Sequence, residues 1–175
     1  PHSAYTLSEG ALREVAEAAR AEAMPVHIHI AETRSEGDAV LARTGRTVPA
    51  HLAHLSFFVP RTVAAHCVWL TPVDVGVLAA HGVGVAHCPG SNGKLASGMA
   101  PVVDLRRAGV AVGVGTDGPA SNDNLDLWEE ARLALLYARL REEDAGALGV
   151  EDALRLMTSE AAAALGRDDL GALLP

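Results

Sequence analysis

The chain has 175 residues, 49% of them hydrophobic, enough apolar material to bury a substantial core as one domain or part of a larger one. Its 14 Lys and Arg against 22 Asp and Glu give a net charge of −8, which argues against nucleic acid or an anionic membrane as partner and favours small-molecule chemistry. No apolar run reaches the roughly 18 to 20 residues of a membrane span, and no signal-peptide layout opens the chain, so a cytoplasmic address is the expectation.

The opening "PHSAYTLS", without an initiator Met, reads like the interior of a longer chain. Residues 9–23 then place Leu12, Val15, Ala19 and Ala23 on one side, as an amphipathic helix does, and Pro25 closes the segment. A strand follows in "VHIHI", where Val26, Ile28 and Ile30 alternate with His27 and His29. One or two helices are predicted within 35–57, a strand over 63–68, a helix over 72–81 and a strand over 83–87. A helix over 101–108, a strand over 110–116 and two long helices over about 124–143 and 150–165 complete the chain. Strand and helix alternate four times, which favours a parallel sheet with helices outside it. The two cysteines, Cys67 and Cys88, lie far apart without a CxxC pair and read as reduced, core-filling thiols.

Strand parity says more. In "VAVGVGTD" the valines at 110, 112 and 114 share one face, while Ala111, Gly113, Gly115 and Asp117 share the other. Small residues ending in a carboxylate suit the crowded inside of a closed barrel, with the valines turned out toward helices. Five of the eight histidines (His2, His27, His29, His66 and His87) fall at or near carboxyl ends of strands, where parallel α/β folds build their sites. His66, however, shares parity with Ala64.

A neutral imidazole and a carboxylate are good ligands for a zinc-like divalent ion, and His29 with Asp117 would supply two of them from separate strands. Two are fewer than the three protein ligands that a catalytic site generally uses. Glu32 lies three positions beyond His29, so in an unbroken strand it would face away. Acid/base work by Glu32 therefore requires the strand to stop near Ile30 and the loop to turn back over the site.

The stretches "HIHIAET", "AAHCVWLT", "GVGVAHCPGSNGKLASGMAPV" and "VGVGTDGPASNDNLDLWEEARLALL" together resemble the amidohydrolase superfamily. More narrowly, they resemble its branch of zinc-dependent aminohydrolases and chlorohydrolases, which includes deaminases of S-adenosylhomocysteine and methylthioadenosine. The resemblance runs over nearly the whole chain. It implies a (β/α)8 TIM barrel of which residues 1–175 carry roughly strands five to eight, as a partial barrel domain without the HxH of the first strand. It makes His29 a metal ligand, Glu32 the proton shuttle, His66 the partner of the attacking hydroxide, and Asp117 the carboxylate that contacts both metal and nucleophile. His2, Glu32, Trp69 and Asn92 are the expected substrate contacts. One divalent ion is implied, zinc foremost, with iron or manganese as alternatives, and a homo-oligomer is expected by analogy. Two departures bear on substrate: Gly93 stands where a bulkier apolar residue is common, and Trp69 where many relatives have His.

The implied reaction is hydrolytic deamination of a purine-like or related nitrogen heterocycle. Dechlorination of a triazine, hydrolysis of a formimino group, or a non-catalytic half-barrel would fit much of the same sequence. His27 reads as structural, and His51, His54 and His81 as solvent-facing or packing. His87 and Asn92 are expected to hold the seventh-strand loop through hydrogen bonds. Glu129, Glu130, Arg139 and Arg141 read as a solvated helix face. The glycine-dense "GVGVGTDG" lacks GK[ST], so it is not read as a phosphate loop.

Overall fold

A computed structural model describes residues 1–173. Four strands, β1 (Val26–Ile30), β2 (Thr62–His66), β3 (Gly84–His87) and β4 (Val112–Val114), pair in parallel in the order in which they occur. Helix α1 (Glu9–Ala21) precedes β1; α2 (Arg34–Thr44) and α3 (Val48–His54) connect β1 to β2; and α4 (Pro72–Ala80) connects β2 to β3. Helices α5 (Pro89–Lys94) and α6 (Val102–Arg107) lead to β4, and α7 (Leu127–Glu142), α8 (Val150–Met157) and α9 (Ser159–Ala164) follow it. No helix among the described residues is long and apolar enough to cross a membrane.

Local chemistry explains most boundaries. Ser8 caps α1 by accepting the Ala11 amide, and the buried stripe of Leu12, Ala16 and Ala19 is the face that packs. Thr71 and Asp74 form a reciprocal capping box, with Pro72 beside the cap, so α4 starts where a sequence reader would place it.

Four boundaries differ from expectation. The second strand ends at His66 instead of 68, because His66 (φ 68°) and Cys67 (φ 52°) both adopt left-handed conformations. β4 is shorter than 110–116, although the Val85 amide to Ala111 O and the Gly115 amide to His87 O carry its ladder past both ends. The single helix expected over 150–165 is two, broken at Thr158 (φ −126°, ψ −95°). Helix α5 was not predicted, since "PGSNGK" has poor helix propensity and no apolar period.

The register fixes two faces. His27 and His29 lie beside Val63 and Ala65, and these beside Gly84, Ala86 and Gly113. Ile28, Ile30, Ala64, Val85 and Val112 occupy the other face and are at most 1% exposed, each burial contributing up to about 3 kcal/mol for the larger side chains. The small residues of the first face admit α9. A Cβ on Gly84 would run into the backbone of Ala164, and one on Gly113 would lie 2.6 Å from Ala161 Cα. We expect Gly113→Val to destabilise the fold by about 1–3 kcal/mol, the usual cost of overpacking, read as a lower midpoint in urea denaturation. An unchanged midpoint would mean that α9 does not close this end of the sheet.

Candidate metal and catalytic site

The carboxyl ends of the strands gather the histidines and acids. His29 sits near the end of β1, and both its amide and its Nδ1 lie 2.9 Å from the carbonyl of His2. That carbonyl can only accept, so the ring carries its proton on Nδ1 and keeps the Nε2 lone pair free, the form a metal ligand needs. His2 itself stacks on His29 with ring centroids 4.6 Å apart, and Ser3 bridges to His29 in parallel, extending the sheet by one short contact.

His66 reaches this group despite its parity. Its strand position matches the helix-facing Ala64, but its left-handed backbone re-aims the imidazole, which stacks on His29 at 5.2 Å. Its Nδ1–H donates to Asn92 Oδ1 at 2.9 Å, leaving Nε2 to face Glu32 Oε2 at 3.9 Å. Asn92, 1% exposed, thus meets the site through His66.

Asp117 closes the group from beyond β4, again in a left-handed conformation (φ 60°). One ligand atom each from His29, His66 and Asp117 lie within 4.8 Å of one another. Asp117 Oδ2 accepts hydroxyl hydrogen bonds from Ser91 and Ser121, both at 2.7 Å. Burial pushes the Asp117 carboxyl up, but the bonds from Ser121 and Ser91, the Gly118 amide and the nearby His66 outweigh it and hold the group below the usual Asp value. A cavity of about 280 Å³ lined by His27, His29, Ala65, Ala86, Cys88 and Asp117, among others, lies against these groups. Burial pushes the Cys88 thiol up to about 12, so it lines the cavity as a neutral group.

Glu32 turns back as acid/base work requires. Strand β1 stops at Ile30, Ala31 takes φ 52°, and the Ala31 carbonyl accepts the amides of Val68 and Trp69. The Glu32 amide donates to Glu36 Oε2 at 2.7 Å, and Glu36 is only 3% exposed. Burial pushes Glu36 up, while the amides of Glu32, Ala31 and Thr33 draw it back. Trp69 is fixed at the rim: Nε1 donates to Ser97 O at 2.7 Å, and the Arg34 guanidinium lies 4.3 Å over the ring.

The donor set suits a divalent ion: two imidazoles that engage Nδ1 in hydrogen bonds and leave Nε2 available, and one carboxylate, with ligand atoms within 4.8 Å of one another. The sequence matches the amidohydrolase family over residues 1–175. The chain belongs to that family. Its four parallel strands and helices are part of the (β/α)8 barrel of these amidohydrolases.

Among curated amidohydrolase relatives, the chain is 47% identical over its full length to a 5-methylthioadenosine/S-adenosylhomocysteine deaminase of Pelotomaculum thermopropionicum, of which it covers 40%. It is 45% identical over 96% of its length to a 5'-deoxyadenosine deaminase of Methanothermobacter thermautotrophicus, covering 39% of that protein. A crystal structure of an adenosine deaminase from Xanthomonas campestris with bound zinc superposes with TM-score 0.94 at 40% identity, over 98% of this chain and 39% of the other. The chain therefore spans about 40% of the length of these relatives.

Several residues around this amidohydrolase site escaped the sequence reading. Glu130 is not on a solvated face: it is 1% exposed, because its carboxylate accepts from the Gly90 amide and Asn122 Nδ2. The His87 side chain does not hold its loop by hydrogen bonds; neither ring nitrogen has a partner among the described residues, and burial pushes its pKa down to about 3, so it packs as a neutral ring. Ser91 and Ser121 were invisible, since nothing in their spacing points at Asp117. Glu36 did leave a trace, because Thr33 and Glu36 have the spacing of a helix capping box.

Proposed function

We propose that this chain forms the acid, base and part of the metal site of a hydrolytic deaminase acting on a small purine nucleoside, an adenosine altered at its 5' position. The observation that carries the reading is that ligand atoms of His29, His66 and Asp117, from three strand ends, lie within 4.8 Å of one another, with Glu32 facing His66 and with His29 and Asp117 lining one cavity. The relatives' activities toward adenosine-type nucleosides support it.

His29 and Asp117 would hold the ion, zinc in this reading, with further ligands from the part of the barrel that this chain does not span. When bound, the ion would supply Lewis acidity, lowering the pKa of water toward about 7. His66, with its proton on Nδ1 fixed by Asn92, offers the bare Nε2 as acceptor for a hydroxyl proton at the reacting carbon. Asp117 accepts a proton from the attacking water and directs the remaining lone pair at the ring. Glu32 takes that proton on and delivers it to the ring nitrogen as the C–O bond forms, then carries the second water proton, left on the new hydroxyl, to the exocyclic amine, so that the carbonyl forms, the C–N bond breaks and ammonia leaves. His2, stacked on His29, and Trp69 would contact the nucleoside, and Asn92 would act by orienting His66. Soluble cytoplasmic nucleosides would be the natural pool.

The test is product analysis with a full-length protein carrying this chain. We expect stoichiometric ammonia and an inosine-type product from 5'-deoxyadenosine, methylthioadenosine or S-adenosylhomocysteine. Chloride release from a chlorotriazine, with no ammonia from any purine nucleoside, would move the site to the dechlorinating alternative.

A further inference from the structure

Asp117 is aimed by two hydroxyls that come from different loops. Ser91 belongs to the first turn of α5 and Ser121 to the loop after β4, and both donate to the same carboxylate oxygen. The residue next to each serine is gripped by one buried acid. Glu130, on the first turns of α7, takes the Gly90 amide on Oε2 at 2.8 Å and Asn122 Nδ2 on Oε1 at 2.6 Å. Asn122 in turn accepts the Leu125 amide on its Oδ1 at 2.8 Å, which fixes the loop into α7.

Two features make this a specific device. Both groups facing Glu130 are donors, so both of its side-chain atoms must be acceptors, and only a carboxylate meets that demand at this length. Residue 90 must also lack a side chain, because a Cβ there would collide with Glu130 Oε1.

We infer that Glu130 is a positioning residue for the metal site: by holding Gly90 and Asn122 it sets Ser91 and Ser121, and through them the orientation of Asp117. Glu130 itself touches neither ion nor substrate. The inference rests on the proposed metal-site reading and adds a part to it that neither the ligand set nor the acid/base pair contains.

The polarity of the clamp supplies the test, a double-mutant cycle in a full-length protein carrying this chain. E130Q places an amide nitrogen against a donor, and N122D places a carboxylate against Glu130. In N122D/E130Q the match returns with reversed polarity. The side-chain nitrogen now at position 130 donates to the carboxylate now at position 122, while the side-chain oxygen at 130 still accepts the Gly90 amide and the carboxylate at 122 still accepts from Leu125. Zinc affinity is measured by competition with a chromophoric chelator, and melting temperature on the metal-free proteins.

Each single variant is expected to bind zinc about 10- to 100-fold more weakly than wild type, the usual range for residues that support a ligand, and the double variant to recover at least about tenfold of that loss. Should E130Q fail to fold, the double variant decides: zinc affinity within a few-fold of wild type supports the clamp, and affinity as poor as folded N122D overturns it. Folded E130Q with wild-type zinc affinity overturns it too, even if its melting temperature falls, because Glu130 would then serve stability alone. A wild-type protein that takes up no zinc overturns the metal-site reading and this inference with it.

Discussion

Replacing Glu32 with glutamine in a full-length protein carrying this chain is expected to lower kcat by about 10²- to 10⁴-fold, the range for loss of a positioned acid or base, with metal content unchanged. Glutamine keeps the shape of the side chain, and the loop that presents it is fixed by other groups. The Glu32 amide is bound to Glu36, and the preceding carbonyl takes the Val68 and Trp69 amides. What disappears is the carboxylate 3.9 Å from His66 Nε2, and with it the group proposed to carry a proton from water to the leaving amine. Steady-state kinetics beside elemental analysis make the check. Near-normal turnover with metal bound would remove Glu32 from the proton path.

His29→Ala is expected to act earlier, on metal uptake itself. The substitution removes an Nε2 donor whose tautomer is set by the His2 carbonyl, and it leaves the backbone bond from residue 29 to that carbonyl in place. The sheet should therefore persist while the ion is lost. Weakening should exceed the roughly 10- to 100-fold seen when supporting residues are changed. Dialysis against a weak chelator followed by elemental analysis separates the outcomes: full metal occupancy in a folded His29→Ala protein would mean that the ion is held elsewhere.

The parts legible in the sequence were those written as periodic patterns. Alternating β-branched residues in 26–30 and small residues in 111–117 announced a sheet with two unlike faces, and the register bears this out, but the small-residue face is not free of helices: α9 packs on it at Gly84 and Gly113. The turn of Glu32 back over the site followed from parity alone, as a requirement that the loop after Ile30 had to meet. His66 shows the limit of that logic. Its parity points it at the helices, and only a left-handed backbone, which no residue type in "AAHCV" advertises, brings it round to His29.

Buried acids were the other blind spot. Glu130 looks like an ordinary solvated helix carboxylate in sequence, because its partners are the Gly90 amide, 40 residues away, and the Asn122 side chain in the preceding loop, whereas Glu36 is bound locally by the Glu32 amide and shows only its capping-box spacing with Thr33. Helix α5 shares that cause: it is held by the Glu130 bond to Gly90 instead of by local propensity.

The central claim is that His29 and Asp117, from separate strands, share one ion. Anomalous diffraction at the zinc edge, from crystals of a full-length protein carrying this chain, tests it most directly. The predicted result is one strong peak in the cavity between β1 and β4, about 2.0–2.2 Å from His29 Nε2 and from an Asp117 carboxylate oxygen. A metal-replete crystal whose peak lies elsewhere, with these two side chains unliganded, would contradict it.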